Sequence, residues 1–112
     1  MSEPSSLACP VGAGAYAVIF TSLRTASDQG YAQTADEMVA LASRQPGFLG
    51  VESVRAPDGL GITVSYWRDL ESIRHWKANA DHLAAQLAGR ERWYRAYRVR
   101  VCRVERDYGF ER

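Results

Sequence analysis

The chain has 112 residues, a formal net charge of +1, and a composition that is 46% hydrophobic and 24% charged, which bounds it to one domain of ordinary size whose core needs neither disulfide nor metal. No apolar run approaches the ~20 residues of a membrane-spanning helix, and the opening MSEPSSLACP has neither the basic end nor the apolar centre of a secretory signal. A cytoplasmic protein is expected, and two cysteines, Cys9 and Cys102, argue against a disulfide framework and against redox chemistry by a cysteine pair.

Residues 1 to 14 are rich in Ser, Pro, Gly and Ala; they cannot bury enough apolar surface to order themselves and are expected to form a mobile arm ahead of a domain over 15 to 112. Tyr16 to Leu23, YAVIFTSL, is short and dense in β-formers, which predicts a strand with both faces covered. Ser27 or Asp28 can cap a helix whose inner positions Tyr31, Ala35, Met38 and Ala42 recur at helical spacing until Pro46 and Gly47 stop it. FLGVESVR, from Phe48, reads as a second strand; the turn Ala56-Pro57-Asp58-Gly59 and the run GITVSYW make its hairpin partner. Asp69 can cap a second long helix, with Glu71 in its positive first turn. Gly89 breaks or bends that helix, Arg90 to Tyr94 reads as a last helical turn, and Tyr97 to Glu105 as a final strand with Val99 and Val101 on one face and Cys102 and Val104 on the other. The order β-α-β-β-α-β predicts an α+β, ferredoxin-like fold with an antiparallel sheet.

Two helices can cover only one face of a four-stranded sheet. Because the first and last strands carry apolar residues on both faces, sheet-to-sheet homodimerisation with two-fold symmetry is expected. From Arg90 to Arg112, eight arginines stand against four acids. The basic residues are interrupted by acids and accompanied by no zinc-finger or RNA-recognition motif, so a solvated or interface strand is favoured over nucleic-acid binding.

The second long helix carries two faces. At 100° per residue from His75, the side chains Ile73, Trp76, Ala80, Leu83, Ala84 and Leu87 fall between roughly 80° and 180°, an apolar stripe for a core. His75, Asn79, His82 and Gln86 cluster between about −20° and 40°, along the border of that stripe. The line reads either as the wet shoulder of an ordinary amphipathic helix or as the rim of a pocket. His75 and His82 are two turns apart, roughly 10 Å, too far to share one metal ion. GAGA at 12 to 15 precedes a strand instead of following one, so it is not a dinucleotide loop, and no serine or cysteine stands in a nucleophile motif.

The strings QPGFLGVES at 45 to 53, VSYWRDLESIRHWK at 64 to 77, and the DHLAAQLAGRERWY and RVCRVERDY segments after them carry a resemblance over about residues 15 to 108. In these the chain resembles the antibiotic biosynthesis monooxygenase superfamily, small dimeric α+β barrels. The resemblance implies the fold and does not by itself fix the reaction, because the superfamily includes cofactor-free oxygenases that turn polycyclic phenols into quinones, haem-degrading oxygenases and small isomerases. Haem degradation would call for an asparagine on the first strand, a tryptophan on the second helix and a ligating histidine about ten residues beyond it. Trp76 matches the tryptophan, but the tenth residue onward is Gln86, His82 is only six past Trp76, and the strand offers Phe20, Thr21 and Ser22.

Cofactor-free oxygenation asks for less: a phenol or quinol is deprotonated in a dry pocket, and its anion passes an electron to dioxygen. Under this reading the expected base is His82, with Asn79 and Gln86 as its hydrogen-bonding neighbours. The expected walls are Tyr66, Trp67, Trp76 and Trp93, and Glu52 is open to a substrate-binding role. Each has a plainer alternative. Trp76 can be a core residue, Trp67 and Trp93 can pack at a dimer interface, His75 can be a surface residue, and Glu52 can sit at a solvated edge or pair with an arginine of the last strand. The expectation is a monooxygenase of a small aromatic or quinol without cofactor or metal; the alternatives are a non-catalytic small-molecule binding or stress-associated protein, and a haem-binding monooxygenase.

Overall fold

A computed structural model describes residue 7 and residues 10–26, 31–87 and 93–112, with the side chains of 35–81 in the middle stretch. The elements run β1 (Tyr16–Arg24), α1 (Tyr31–Ser43), β2 (Phe48–Arg55), β3 (Leu60–Trp67), α2 (Leu70–Leu87) and β4 (Tyr94–Arg103). One antiparallel sheet has the order β2-β3-β1-β4, so α1 carries the chain from β1 to β2 across the place that β3 then fills, and α2 carries it from β3 past β1 to β4, the split β-α-β arrangement expected. The anticipated caps Ser27 and Asp28 and the break at Gly89 lie outside the described residues.

Both helices pack on one face of the sheet, and the core forms where α1, α2 and β3 meet. Ala42, Trp67 and Ile73 are buried there, with Tyr16, Val18, Phe48 and Trp76 packed against them. Trp67 is 0% exposed; Trp76 stacks on it with ring centroids 6.0 Å apart and Phe48 meets it edge-on at 5.4 Å. The Trp67 indole N–H donates to Ser65 Oγ at 2.9 Å, which satisfies the polar atom that this burial would otherwise strand.

Two residues past Trp67, Asp69 starts α2. Its Oδ1 accepts from Ser72 N at 2.8 Å and Ser72 Oγ at 2.7 Å, the N-cap geometry that its residue type favours. These bonds, with Arg68 beside them, pull the Asp69 carboxyl down to about 2. Gly47 closes the neighbouring turn: its carbonyl accepts from Arg68 N at 2.7 Å, its φ is +86°, and a methyl group on its Cα would overlap the Ser72 side chain.

The last strand differs from expectation. It begins at Tyr94, not Tyr97, and ends at Arg103, not Glu105. An irregularity between Leu23 and Arg24 pairs Arg24 with Tyr94, so Tyr94 is drawn into the sheet. Its ring meets Phe20 at 5.5 Å and Tyr97 at 6.0 Å, contacts that a helical turn would forgo. The arm also differs: residues 11–14 are fastened. Gly14 N donates to Val104 O at 2.9 Å and Val104 N to Ala15 O at 2.8 Å. Asp107 accepts from the successive amides of Val11 and Gly12, the latter at 3.0 Å, and these two bonds hold its carboxyl below the ordinary value.

On the sheet face away from the helices, Tyr66 OH donates to Glu52 Oε1 at 2.6 Å. Burial, this hydrogen bond and the charges of Glu52 and Asp107 push the phenol up to about 12, so Tyr66 is a neutral donor throughout the physiological range.

Two outcomes follow from these contacts. Gly47→Ala combines a left-handed backbone penalty with an overlap at the capped first turn of α2, and is expected to cost about 3 kcal/mol in urea unfolding; a loss below ~0.5 kcal/mol would show that the turn relaxes freely. In an ultraviolet titration one phenol should resist ionisation until about pH 12, and Glu52→Gln should bring it down. Since the folded value is the raised one, the stability that Tyr66 contributes is present below about pH 10 and lost as pH climbs to the folded value.

Candidate active site

Strand alternation sorts the sheet into two surfaces. Cross-strand register places Tyr16, Val18, Phe20, Ser22 and Arg24 of β1 on the helix side, with Gly61, Thr63, Ser65 and Trp67 of β3. Tyr94, Tyr97, Val99, Val101 and Arg103 of β4 and Val51, Ser53 and Arg55 of β2 complete that surface. Trp67 and Trp76 fill one end of it. Toward the other end the helix-side surface opens: Tyr97, Val99 and Val101 remain 42%, 46% and 48% exposed, a trough floored by aliphatic and aromatic side chains.

The polar groups of this floor lie on β2 and β3. Ser53 Oγ and Thr63 Oγ1 are 2.7 Å apart. Arg55 reaches across β3 to place Nη2 at 2.9 Å from Ser22 Oγ, while its Nη1 donates to the carbonyl of Gly59. The crossing is possible because residue 61 is glycine; a Cβ there would collide with the guanidinium. Ser22 is 1% exposed, so this end of the trough is built around a buried hydroxyl and a half-buried cation. Phe20 and Tyr97, with ring centroids 5.3 Å apart, lie beside it.

The residues expected at a site fall into separate places. Trp67 and Trp76 come together in the core; for Trp76 this is its plainer alternative, whereas Trp67, whose alternative is a dimer interface, is instead buried inside the single chain. Trp93 is buried at the opposite end of β1, where its carbonyl accepts from Thr25 N at 2.8 Å and Arg24 Nε at 3.2 Å; along β1 that is roughly 26 Å from the Trp67 end at 3.3 Å per residue. Tyr66 and Glu52 are brought together on the far face, behind the sheet from Trp67, as adjacent strand residues must be. Asn79 and His75 are exposed on α2. Asn79 Nδ2 lies 3.3 Å from Gln45 Oε1 and from the His75 carbonyl, so this part of the polar line meets the end of α1. With Glu71, Arg74 and Ala78, these two residues line a shallow open depression. The backbone of α2 continues through His82 and Gln86, roughly 9 Å and 15 Å of helix beyond Trp76; their side chains lie outside the described residues.

Phe20, Ser22, Arg55, Tyr94 and Tyr97 were not anticipated as site residues. Tyr94 was hidden by the helical reading of Arg90 to Tyr94. The glycine opposite Ser22 carries a signal, since a residue without a side chain inside a strand marks a close approach by something else. No group of three or more metal-ligating side chains occurs among the described residues, and none of the described helices is long and apolar enough to cross a membrane.

Comparisons with known proteins agree with this architecture. Residues 15–88 match the model of a family described as antibiotic biosynthesis monooxygenase. The chain is 54% identical over 96 residues to the uncharacterized protein YqjZ of Bacillus subtilis (strain 168), covering 86% of this chain and 84% of that one. Among solved structures it is similar to SnoaB of Streptomyces nogalater, a cofactor-independent oxygenase, with a TM-score of 0.70 at 17% identity over 84% of this chain and 96% of that one. PA3566 of Pseudomonas aeruginosa gives a TM-score of 0.66 at 14% identity over 83% and 96%. At such identities the structural likenesses establish the fold, whereas the family match spans most of the chain: this protein belongs to the antibiotic biosynthesis monooxygenase family.

Proposed function

We propose that the protein is a cofactor-independent monooxygenase that oxidises a small aromatic phenol or quinol in the trough between α2 and the sheet. The observation that carries this reading is the half-exposed aromatic and aliphatic floor of Phe20, Tyr97, Val99 and Val101 in a chain of this family. SnoaB, similar in fold, is described as a cofactor-independent oxygenase. Such a floor excludes water from a flat ring, and the exclusion favours a substrate that supplies its own electrons.

In the proposed reaction a base removes the phenolic proton, and the electron-rich anion passes one electron to dioxygen. The resulting radical and superoxide combine at a ring carbon, proton transfer gives a hydroperoxide, and loss of water leaves the second carbonyl. One phenol and one dioxygen become one quinone and one water, with no external reductant. His82 is the proposed base, because histidine titrates near neutrality. Asn79 and Gln86 are its proposed hydrogen-bonding neighbours on the same helix. The functional unit is proposed to be a homodimer formed through the sheet face away from the helices, where Val54, Leu60 and Ile62 are exposed and would otherwise leave an apolar patch in water.

The deciding experiment is oxygen uptake and quinone absorbance with a panel of hydroxylated aromatics, alongside a haem titration. Turnover without haem is expected, and His82→Ala should reduce it about 10²- to 10⁴-fold while binding is retained; unchanged turnover would remove His82 as the base. Saturable binding without oxygen uptake would instead identify a non-catalytic binding protein, and a one-to-one Soret band that bleaches with reductant would identify a haem oxygenase. Light scattering at micromolar concentration should give twice the chain mass, and a monomer mass would refute the dimer.

A further inference from the structure

We propose that the Ser53 and Thr63 hydroxyls together hold a hydroxyl group carried by the aromatic ligand, so that the trough selects hydroxylated rings over bare rings of the same size. The inference deepens the proposed function and rests on the trough being the substrate site. Val99, Phe20, Thr63 and Ser53 form one lateral row across the four strands on the helix side, roughly 14 Å wide at about 4.8 Å per strand spacing. The half of this row on β4 and β1 is apolar, with Val99 46% exposed and Phe20 half-buried. The half on β3 and β2 is two hydroxyls. A flat ring laid on Val99 and Phe20 therefore brings its far edge to Thr63.

The rows on either side also carry hydroxyls, but the fold already uses them. Ser65 Oγ accepts from the Trp67 indole N–H at 2.9 Å. Ser22 Oγ accepts from Arg55 Nη2 at 2.9 Å and is 1% exposed. Ser53 and Thr63 bond to one another at 2.7 Å, and among the described residues neither has another partner. Ser53 is exposed and Thr63 half-buried, so the pair faces the open part of the trough.

A hydroxyl has one O–H donor and two acceptor lone pairs. The mutual bond uses one donor and one lone pair, whichever oxygen donates, and leaves one O–H and lone pairs on both oxygens. A phenolic hydroxyl, itself both donor and acceptor, can complete the two sides of the pair at once; the edge of a bare ring completes neither. The helix-side positions of the sheet include no aspartate or glutamate that would take up the remaining O–H. Cross-strand hydroxyl pairs also stabilise sheets, but a purely structural pair would be indifferent to whether the ligand carries a hydroxyl.

The test is a fluorescence titration with 2-naphthol and with naphthalene, in the absence of oxygen, so that the result does not depend on turnover. The wild-type chain should bind the naphthol about 3- to 10-fold more tightly than naphthalene, the range of one net hydrogen bond. Thr63→Val, which keeps the shape and removes the O–H, should bring the two affinities within about twofold by weakening only the naphthol. Thr63→Ser, which keeps the O–H, should retain the preference. Ser53→Ala should shrink it, and decides the matter if Thr63→Val fails to fold. Equal binding of both ligands by the wild type, a preference that survives in folded Thr63→Val, or one lost in Thr63→Ser as fully as in Thr63→Val overturns the assignment to the hydroxyl pair and leaves the oxygenase reading to its own oxygen-uptake measurement. Binding of neither ligand overturns the trough as a ligand site and the hydroxyl anchor with it.

Discussion

The placement of α2 on the sheet depends on the stack of Trp67 and Trp76. Trp67 ends β3, and Asp69 begins α2 two residues later, so the helix cannot choose its starting point independently of the sheet. With Trp67 fully buried, Trp76 stacked on it and Phe48 against its edge, the first two turns of α2 are pinned to one end of the sheet. The rest of the helix then runs back over the strands from a fixed origin. Aromatic packing of this kind adds to area burial about 0.5 to 1.5 kcal/mol per pair, and here its larger effect is geometric: it determines where the covered part of the sheet stops and the open floor begins.

The second constraint is the period of two along each strand. It divides the molecule into a helix-side surface, aromatic and free of acids on the sheet, and a far surface on which Glu52 holds Tyr66 as a donor. Chemistry proposed for one surface cannot borrow side chains from the other. This is why Tyr66 and Trp67, neighbours in sequence, serve different purposes, and why the arginines of β4 split, Arg103 to the helix side and Arg98 and Arg100 to the far side.

Local patterns were enough to read most of the fold. FLGVESVR coincides with β2, Asp69 caps α2 as its residue type predicts, and the order of elements implied the sheet topology. The site was less legible because its parts are joined by register. The Arg55 and Ser22 contact links positions 33 residues apart, and no periodicity within either strand contains it. Tyr94 was lost to the helix that precedes it, since a strand irregularity at Arg24 is set by the partner strand. The helical projection puts Asn79 on the border of the apolar stripe but does not name its neighbour, Gln45 of the α1 turn, because an angle on one helix says nothing of what the next element presents.

The clasp between Asp107 and the amides of Val11 and Gly12, with the Gly14 and Val104 pairing beside it, brings the first and last described stretches of the fold side by side. The domain is thus a closed circuit of chain, with entry and exit at one corner of the sheet. Loop-closure entropy grows only slowly with length, and Val11 and Asp107 are already in contact. A short linker from Asp107 back to Val11 therefore suffices to close residues 11 to 107 into a ring.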